Sequence, residues 1–241
     1  MAASSPPIPL LYEDDALVVV DKPAGLPVIA APDWPAADTV QARVAAQVGS
    51  RLWVVHRLDR DTSGVLAFAR TAAAHRLLSI AFEGRDVAKT YRAFTGGCPR
   101  PRQGPIDVPL HSARRGQSRP ARPGEPGARE ASTAYRVLTV WRVGGETAAL
   151  LEASPRTGRH HQIRVHLRAI GAPILADPVY GRATAGLAAR IGLGRLALHA
   201  CVLDLPHPSG GRRVQVTAPW PADLEAAGRW LDAHAIREVA T

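Results

Sequence analysis

Hydrophobic and polar positions along the chain alternate in short runs, and most of these runs predict strands. Near the start, LLYEDDALVVVDKPAG predicts a strand, an acidic turn and a second strand that ends at Pro23 and Gly25. The same pattern appears in STAYRVLTVWRV, ETAALLEASP, RLALHACVLDLPHP and RRVQVTAPWP. Short turns join most of these runs, which favours antiparallel pairing.

Fewer segments have helical spacing. In ADTVQARVAAQVG, valines recur at Val40 and Val44, and Gly49 is a typical C-terminal stop. TAAAHRLLSIAFEG and PADLEAAGRWLDAH also predict helices. In HQIRVHLRAIG, Arg164 and Arg168 lie on a stripe beside the apolar face, which predicts a helix with one basic edge. Together these patterns predict an α+β fold in which helices flank a largely antiparallel, mixed sheet.

Residues 99–130 depart from both patterns. Pro, Gly and Ser are abundant there. From Arg100 to Arg129 there are seven arginines but only two acidic residues, Asp107 and Glu125. We expect a basic loop. Because strand patterns continue on both sides of it, residues 1–241 are predicted to form a single domain that contains this loop.

Composition narrows the class of protein. With 241 residues and 46% hydrophobic content, the chain can fill a sizeable core, which excludes a disordered tail protein. The net charge of +9 comes mainly from arginine, which pairs with phosphate, so a nucleic acid is the expected partner. Cys98 and Cys201 are far apart and fit neither a disulfide framework nor a zinc ribbon. No membrane-spanning run or signal peptide is visible, so the expected location is the cytoplasm.

The stretch VVHRLDRDTSGVLAFAR places charges between two apolar strands. Asp59 is either a solvated turn residue or a carboxylate that the flanking strands hold rigidly, as catalysis requires. For His56 the favoured interpretation is a hydrogen-bonded structural histidine. The histidines also raise the hypothesis of a metal-dependent phosphoesterase, but His161 and His166 are spaced poorly for a shared metal and no carboxylate cluster accompanies them, so no metal is predicted.

Four segments together resemble one family, the RluA-type pseudouridine synthases. These segments are EDDALVVVDKPAGLPV, HRLDRDTSGVLAFA, KTYRA and TGRHHQIRVHLRAIGAPILADPVYG, and they occur in the family's order between about Leu10 and Pro221. The HRLD-x-x-TSG motif is highly specific. The resemblance implies the pseudouridine synthase fold and an isomerase that converts uridine to pseudouridine in a stem-loop of rRNA or tRNA, without a cofactor.

The resemblance also implies roles for individual residues. Asp59 is the expected catalytic carboxylate, Tyr91 the tyrosine that stacks on the base or assists proton transfer, and Arg164 the cationic partner of Asp59. A uridine inside a stem must be flipped out to react. The residues expected to bind it are Arg57, which contacts the flipped nucleotide, Leu198, which forms an apolar floor under the uracil, and Arg60, His161 and Gln162.

The chain departs from the family pattern in three ways, of which the first two concern substrate choice more than chemistry. His160 stands where the family usually has Thr or Ser, and Ala172 and Ala176 replace His and Gly of a G-H-P-I-L-G-D segment. About ten residues precede Leu10, so the small RNA-binding domain of many relatives is expected to be absent, and a monomer is expected. The alternative is a non-catalytic RNA-binding protein or chaperone of the same fold, against which the intact Asp59, Tyr91 and Arg164 argue.

Overall fold

The computed structural model describes residues 6–32, 34–113 and 117–239, and the chain divides into two compact units. The first unit comprises residues 1–88 and 200–219, and the second comprises residues 89–199 and 220–241. The chain passes between the units three times. The single domain expected from the sequence stays a prediction.

The described residues contain thirteen strands and five α-helices. The strands are β1 (Leu10–Glu13), β2 (Leu17–Lys22), β3 (Trp53–Val54), β4 (Ser63–Ala69), β5 (Ala88–Gly96), β6 (Gln103–Ile106), β7 (Leu110–Ala113), β8 (Gln117–Pro120), β9 (Thr133–Val143), β10 (Glu146–Pro155), β11 (Leu198–Pro206), β12 (Arg213–Thr217) and β13 (Ile236–Val239). The helices are α1 (Val40–Gln47), α2 (Ala72–Glu83), α3 (Gln162–Ala169), α4 (Ala185–Ile191) and α5 (Ala222–His234). None of these helices is long and apolar enough to cross a membrane.

Strand β4 is the centre of the first unit. All seven of its residues are buried, as its continuous apolar run requires. It pairs antiparallel with β2, from Leu17 opposite Ala69 to Lys22 opposite Gly64. The strands follow the order β1, β2, β4, β11, with β3 on β4 and β12 on β11.

Helix α2 covers the core of the first unit. It begins after Thr71, whose hydroxyl accepts a hydrogen bond from the Ala74 amide at 3.1 Å and so satisfies one amide of the first turn. Leu78 packs in a cluster with Leu17, Val65 and Leu203, all at most 2% exposed. Each such buried side chain contributes about 1.5–3 kcal/mol relative to exposure.

The second unit is built on longer antiparallel strands in the order β5, β10, β9, β13, with β6 also on β9. Tyr91 of β5 lies opposite Ala153 of β10. The Trp141 indole donates a hydrogen bond to Asp232 at 2.9 Å and so ties α5 to β9. These strands and helices confirm the predicted α+β fold with largely antiparallel strands.

The prediction of a loop over residues 99–130 is wrong in part. The segment contains β6, β7 and β8, and β7 and β8 form a hairpin. Each strand has only four residues, and Pro and Gly interrupt the alternation, so no periodicity is visible in the sequence. Arg114 and Arg115 lie outside the described residues.

Candidate active site

The loop between β3 and β4 carries Asp59, and hydrogen bonds hold its backbone on both sides. The Thr62 amide donates to the Asp59 carbonyl at 3.1 Å, which closes a turn. The carbonyl of Arg60 accepts from the Gly25 amide at 2.9 Å and from the Lys22 ammonium at 2.8 Å. Asp59 is half-buried, whereas Arg57 and Arg60 are exposed. Hydrogen bonds therefore hold the backbone on both sides of Asp59, and its catalytic role stays a prediction.

Lys22 supports this loop from inside the first unit, a role that the sequence analysis missed. Its side chain is fully buried, and its ammonium donates to the carbonyl oxygens of Pro23 at 2.7 Å and Arg60 at 2.8 Å. A buried ammonium group is costly unless it is hydrogen-bonded in this way. The signal was the lysine in DKPAG, at the end of a strand that is otherwise apolar.

We expect Lys22→Met to lower turnover by about tenfold to a hundredfold, because the Arg60 carbonyl loses its charged donor and the neighbouring carboxylate can then shift. Folding stability should fall by about 1–3 kcal/mol, since two carbonyls lose a charged donor. Single-turnover kinetics, RNA binding and urea unfolding check this. A variant with wild-type turnover would show that Lys22 does not position the loop.

Gly64 and His56 also fix the Asp59 loop. Gly64 has φ of +113°, and a Cβ there would overlap the backbone carbonyl of Ala200, so no larger residue fits. The Nε2 atom of His56 accepts a hydrogen bond from the Ala67 amide at 3.0 Å, and its ring stacks on Phe82. These contacts support the structural interpretation of His56.

In the second unit, Arg164 and Asp177 form a buried ion pair. Arg164 is 4% exposed and Asp177 3% exposed. The guanidinium donates from Nε to Oδ2 at 2.7 Å and from Nη2 to Oδ1 at 2.8 Å. Burial raises the pKa of Asp177, but the hydrogen bonds from Arg164 and from the Tyr180 amide outweigh it and hold this pKa below its usual value. The predicted basic edge of α3 is wrong, because Arg164 points into the protein and only Arg168 is exposed.

His160 and His161 stack at the start of α3, with ring centroids 3.7 Å apart. The Tyr180 hydroxyl donates to the Ser118 carbonyl at 3.0 Å and accepts from the Ser118 amide at 2.9 Å. Nδ1 of His161 lies 3.0 Å from the same hydroxyl, within hydrogen-bond distance. Nδ1 of His160 lies 3.3 Å from the Ser118 hydroxyl. The two histidines are thus connected to β8.

The other predicted site residues of the second unit are largely buried. Tyr91 is 9% exposed and Leu198 3% exposed. The amide of Gln162 donates to Ser132 and Thr133 and accepts from Thr157 and from the Arg159 backbone. These internal bonds favour a positioning role for Gln162, whose contact with substrate stays a prediction.

Ala176 adopts a backbone conformation that favours glycine, with φ of +55°. This accounts for the glycine at the matching position of the G-H-P-I-L-G-D segment. We expect Ala176→Gly to stabilise the protein by about 0.5–1 kcal/mol, because it removes the clash of Cβ with the backbone. Urea unfolding at constant m-value checks this, and a loss of stability would contradict it.

Sequence reasoning missed Asp177 and Tyr180 as well as Lys22. Both lie in ADPVYG, and the available signal was an acidic residue directly after the apolar run PILA. No local pattern indicates that this carboxylate is hydrogen-bonded to an arginine thirteen residues earlier.

Comparisons with known proteins place these residues in context. A family model described as RNA pseudouridylate synthase matches residues 16–169. An uncharacterised RNA pseudouridine synthase of Mycobacterium bovis is 40% identical over 227 residues, which cover 90% of this chain and 71% of that protein. A ribosomal large subunit pseudouridine synthase D of Zymomonas mobilis is 35% identical over 236 residues, covering 93% and 73%. The solved structure of human RNA pseudouridylate synthase domain containing 4 is similar with a TM-score of 0.75 and 28% identity, covering 97% of this chain and 95% of that one.

Proposed function

The chain belongs to the RNA pseudouridylate synthase family, and from this premise we propose that it isomerises uridine in ribosomal RNA, with Asp59 as the essential carboxylate. The observation that carries the assignment of Asp59 is its loop, whose Arg60 carbonyl is held by Lys22 and Gly25. The names of relatives from Zymomonas mobilis and Nitrosomonas europaea support large-subunit ribosomal RNA as the substrate.

The reaction itself needs a carboxylate and controlled proton movement. The bond between the ribose anomeric carbon and N1 of uracil breaks, and the anomeric carbon bonds to C5 of the same ring. The C5 proton leaves and N1 gains a proton, so atoms and electrons balance without an external reagent. Asp59 attacks the anomeric carbon or the ring, or assists formation of a glycal. Tyr91 and Arg164 act in the same reaction, Tyr91 on the base and Arg164 by supplying positive charge.

The remaining site residues bind the flipped nucleotide in this proposal. Arg57 and Arg60 are exposed on the Asp59 loop and suit contacts with phosphate. Leu198 supplies apolar surface for the uracil, and Gln162 holds the start of α3, where His161 lies.

We also propose that the protein works in the cytoplasm as a monomer, without metal or cofactor. Because an isomerisation transfers no electrons to an external acceptor, the reaction needs no redox cofactor. His166 and His207, two of the histidines behind the metal hypothesis, contact Thr133 and Asp14 respectively. No observation in the described ranges favours the non-catalytic alternative.

The basic segment 99–130 is proposed to bind RNA backbone without reading sequence. Within it, Arg119 donates to both carboxylate oxygens of Glu125, whereas Arg122 and Arg129 are exposed. Replacing Arg122 and Arg129 together by Gln should make the slope of log affinity against log salt concentration less steep, by about 0.7–0.9 for each arginine. The modified uridine should stay the same.

A control removes the same charge from arginines that already have acidic partners. Arg213 pairs with Asp86 and Arg229 with Glu225. The double Gln variant of these two should keep the wild-type slope within about 0.5. Equal slopes for both double variants and the wild type would show that the basic segment does not bind RNA.

Mapping of pseudouridines in the host tests the proposed function. Deletion of the gene should remove one or more pseudouridines from large-subunit ribosomal RNA, and the wild-type gene should restore them. The gene with Asp59→Asn should not. If the deletion strain kept every pseudouridine of the wild type in both ribosomal and transfer RNA, the proposal would be contradicted.

A further inference from the structure

A pocket of about 540 Å³ opens on the first unit. Three segments line it, the N-terminal prolines, the turn after β2, and the region from Trp34 to α1. The lining residues are Pro6, Pro7, Ile8, Pro9, Pro23, Ala24, Gly25, Leu26, Trp34, Asp38 and Arg43. Pockets of this size are large enough for a small planar ligand.

Specific hydrogen bonds build the N-terminal wall of the pocket. The Ile8 amide donates to Oε1 of Gln47 at 3.1 Å, and Nε2 of Gln47 donates back to the Ile8 carbonyl at 3.0 Å. Arg43 donates to the Pro6 carbonyl at 2.5 Å. Ile8 is 2% exposed. Helix α1 therefore fixes this wall in place.

The lining combines flat apolar surface with a polar edge. The indole of half-buried Trp34 is oriented by a hydrogen bond to the Asp38 carbonyl at 2.5 Å. Beside it, Arg43 and Asp38 are 3.7 Å apart, with side chains 21% and 46% exposed. That separation is longer than a hydrogen bond, so both groups keep capacity for a ligand. Indole and proline rings with a donor and an acceptor at one edge suit a nucleobase.

One wall of the pocket is hydrogen-bonded to the Asp59 loop. Its lining residue Gly25 donates from its amide to the Arg60 carbonyl at 2.9 Å, and Lys22 holds the Pro23 and Arg60 carbonyls together. A ligand here would therefore contact the segment that supports the catalytic loop. The chain's net charge of +9 favours an RNA occupant over a proline-rich peptide, which the same rings could also accept.

We propose that this pocket binds one base of the RNA substrate other than the reacting uridine, stacked on Trp34 with its polar edge toward Asp38 and Arg43. The inference rests on the proposed function for the identity of the substrate. It makes Trp34 a residue that determines substrate affinity and not a catalytic residue.

The test compares two probes, an adenosine pentaribonucleotide and the same pentamer with abasic riboses. Base stacking on one aromatic ring contributes about 1–3 kcal/mol, or roughly 5- to 150-fold in Kd. The preference for the base-bearing probe is the ratio of the Kd values of the two probes. Trp34→Ala should reduce this ratio by at least about fivefold. Trp34→Phe should keep most of the preference, and Trp34→Leu, which keeps apolar volume without a ring, should lose it. Trp230→Ala is the matched control, since Trp230 stacks on His234 in α5.

Unchanged preference in folded Trp34→Ala or Trp34→Leu would overturn the proposal. It would also be overturned by a proline-rich decapeptide that binds wild type but not Trp34→Ala while RNA preference is unchanged. Wild-type protein that isomerises no RNA would instead defeat the proposed function and leave the binding result standing.

Discussion

Asp59→Asn should abolish pseudouridine formation, while the Kd for RNA changes by less than about tenfold, or 1.4 kcal/mol. The amide has nearly the same shape as the carboxylate but cannot act as an anionic nucleophile. Affinity should survive because phosphate contacts dominate RNA binding. Single-turnover assays and a binding titration on the same RNA separate the two effects.

Asp61→Asn is the matched control for this prediction. Asp61 lies two residues further along the same loop, with an oxygen 3.6 Å from Nε of Arg60. The substitution removes the same charge, so general electrostatic effects on RNA binding should be equal in the two variants. Appreciable turnover by Asp59→Asn, or an equal loss of turnover in both variants, would contradict the assignment of Asp59.

Asp177→Asn should destabilise the protein by about 3–5 kcal/mol, because it removes the carboxylate charge that makes two hydrogen bonds with the buried Arg164 guanidinium. The matched control is Asp223→Asn, which breaks the Arg195–Asp223 pair, where the Asp223 side chain is 50% exposed. That loss should stay within about 1 kcal/mol. Urea unfolding measures both, and similar small losses would show that the Arg164–Asp177 pair contributes little.

The same pair predicts a pH dependence of stability. The pKa of Asp177 is lowered in the folded protein from its ordinary value of 3.8. The ionised carboxylate thus stabilises the fold fully above that value, and the contribution is lost as pH falls through the lower folded pKa. The wild type should lose free energy of unfolding in this acid range more steeply than Asp177→Asn. If the free energies of unfolding of the two proteins changed equally with pH, the role given to Asp177 would be contradicted.

Local sequence patterns predicted the strands and helices that hold the site, whereas they did not predict contacts between residues far apart in the sequence. The β2 and β4 strands follow from apolar runs, and helices α1 and α2 follow from helical spacing. Strands β6 to β8 escaped detection because each has only four residues and lies in a segment rich in Pro, Gly and Ser.

The candidate site shows the same division. The charged loop around Asp59 is visible in the sequence because apolar strands bound it on both sides. The contact of Lys22 with the Arg60 carbonyl joins residues 38 positions apart, and no local pattern records it. Likewise, the position of Arg164 in the sequence has the spacing of an exposed helix stripe. Only the tertiary structure shows that its side chain is buried and hydrogen-bonded to Asp177.

The most direct test of the central claim uses purified protein and ribosomal RNA transcripts tritiated at carbon 5 of uracil, in saturating EDTA with no cofactor added. Bond formation at carbon 5 releases the tritium, so the wild type should release it at a defined uridine and leave pseudouridine there. Asp61→Asn should do the same, and Asp59→Asn should release none. Wild-type protein that releases no tritium from any ribosomal or transfer RNA, or that requires added metal, would contradict the account.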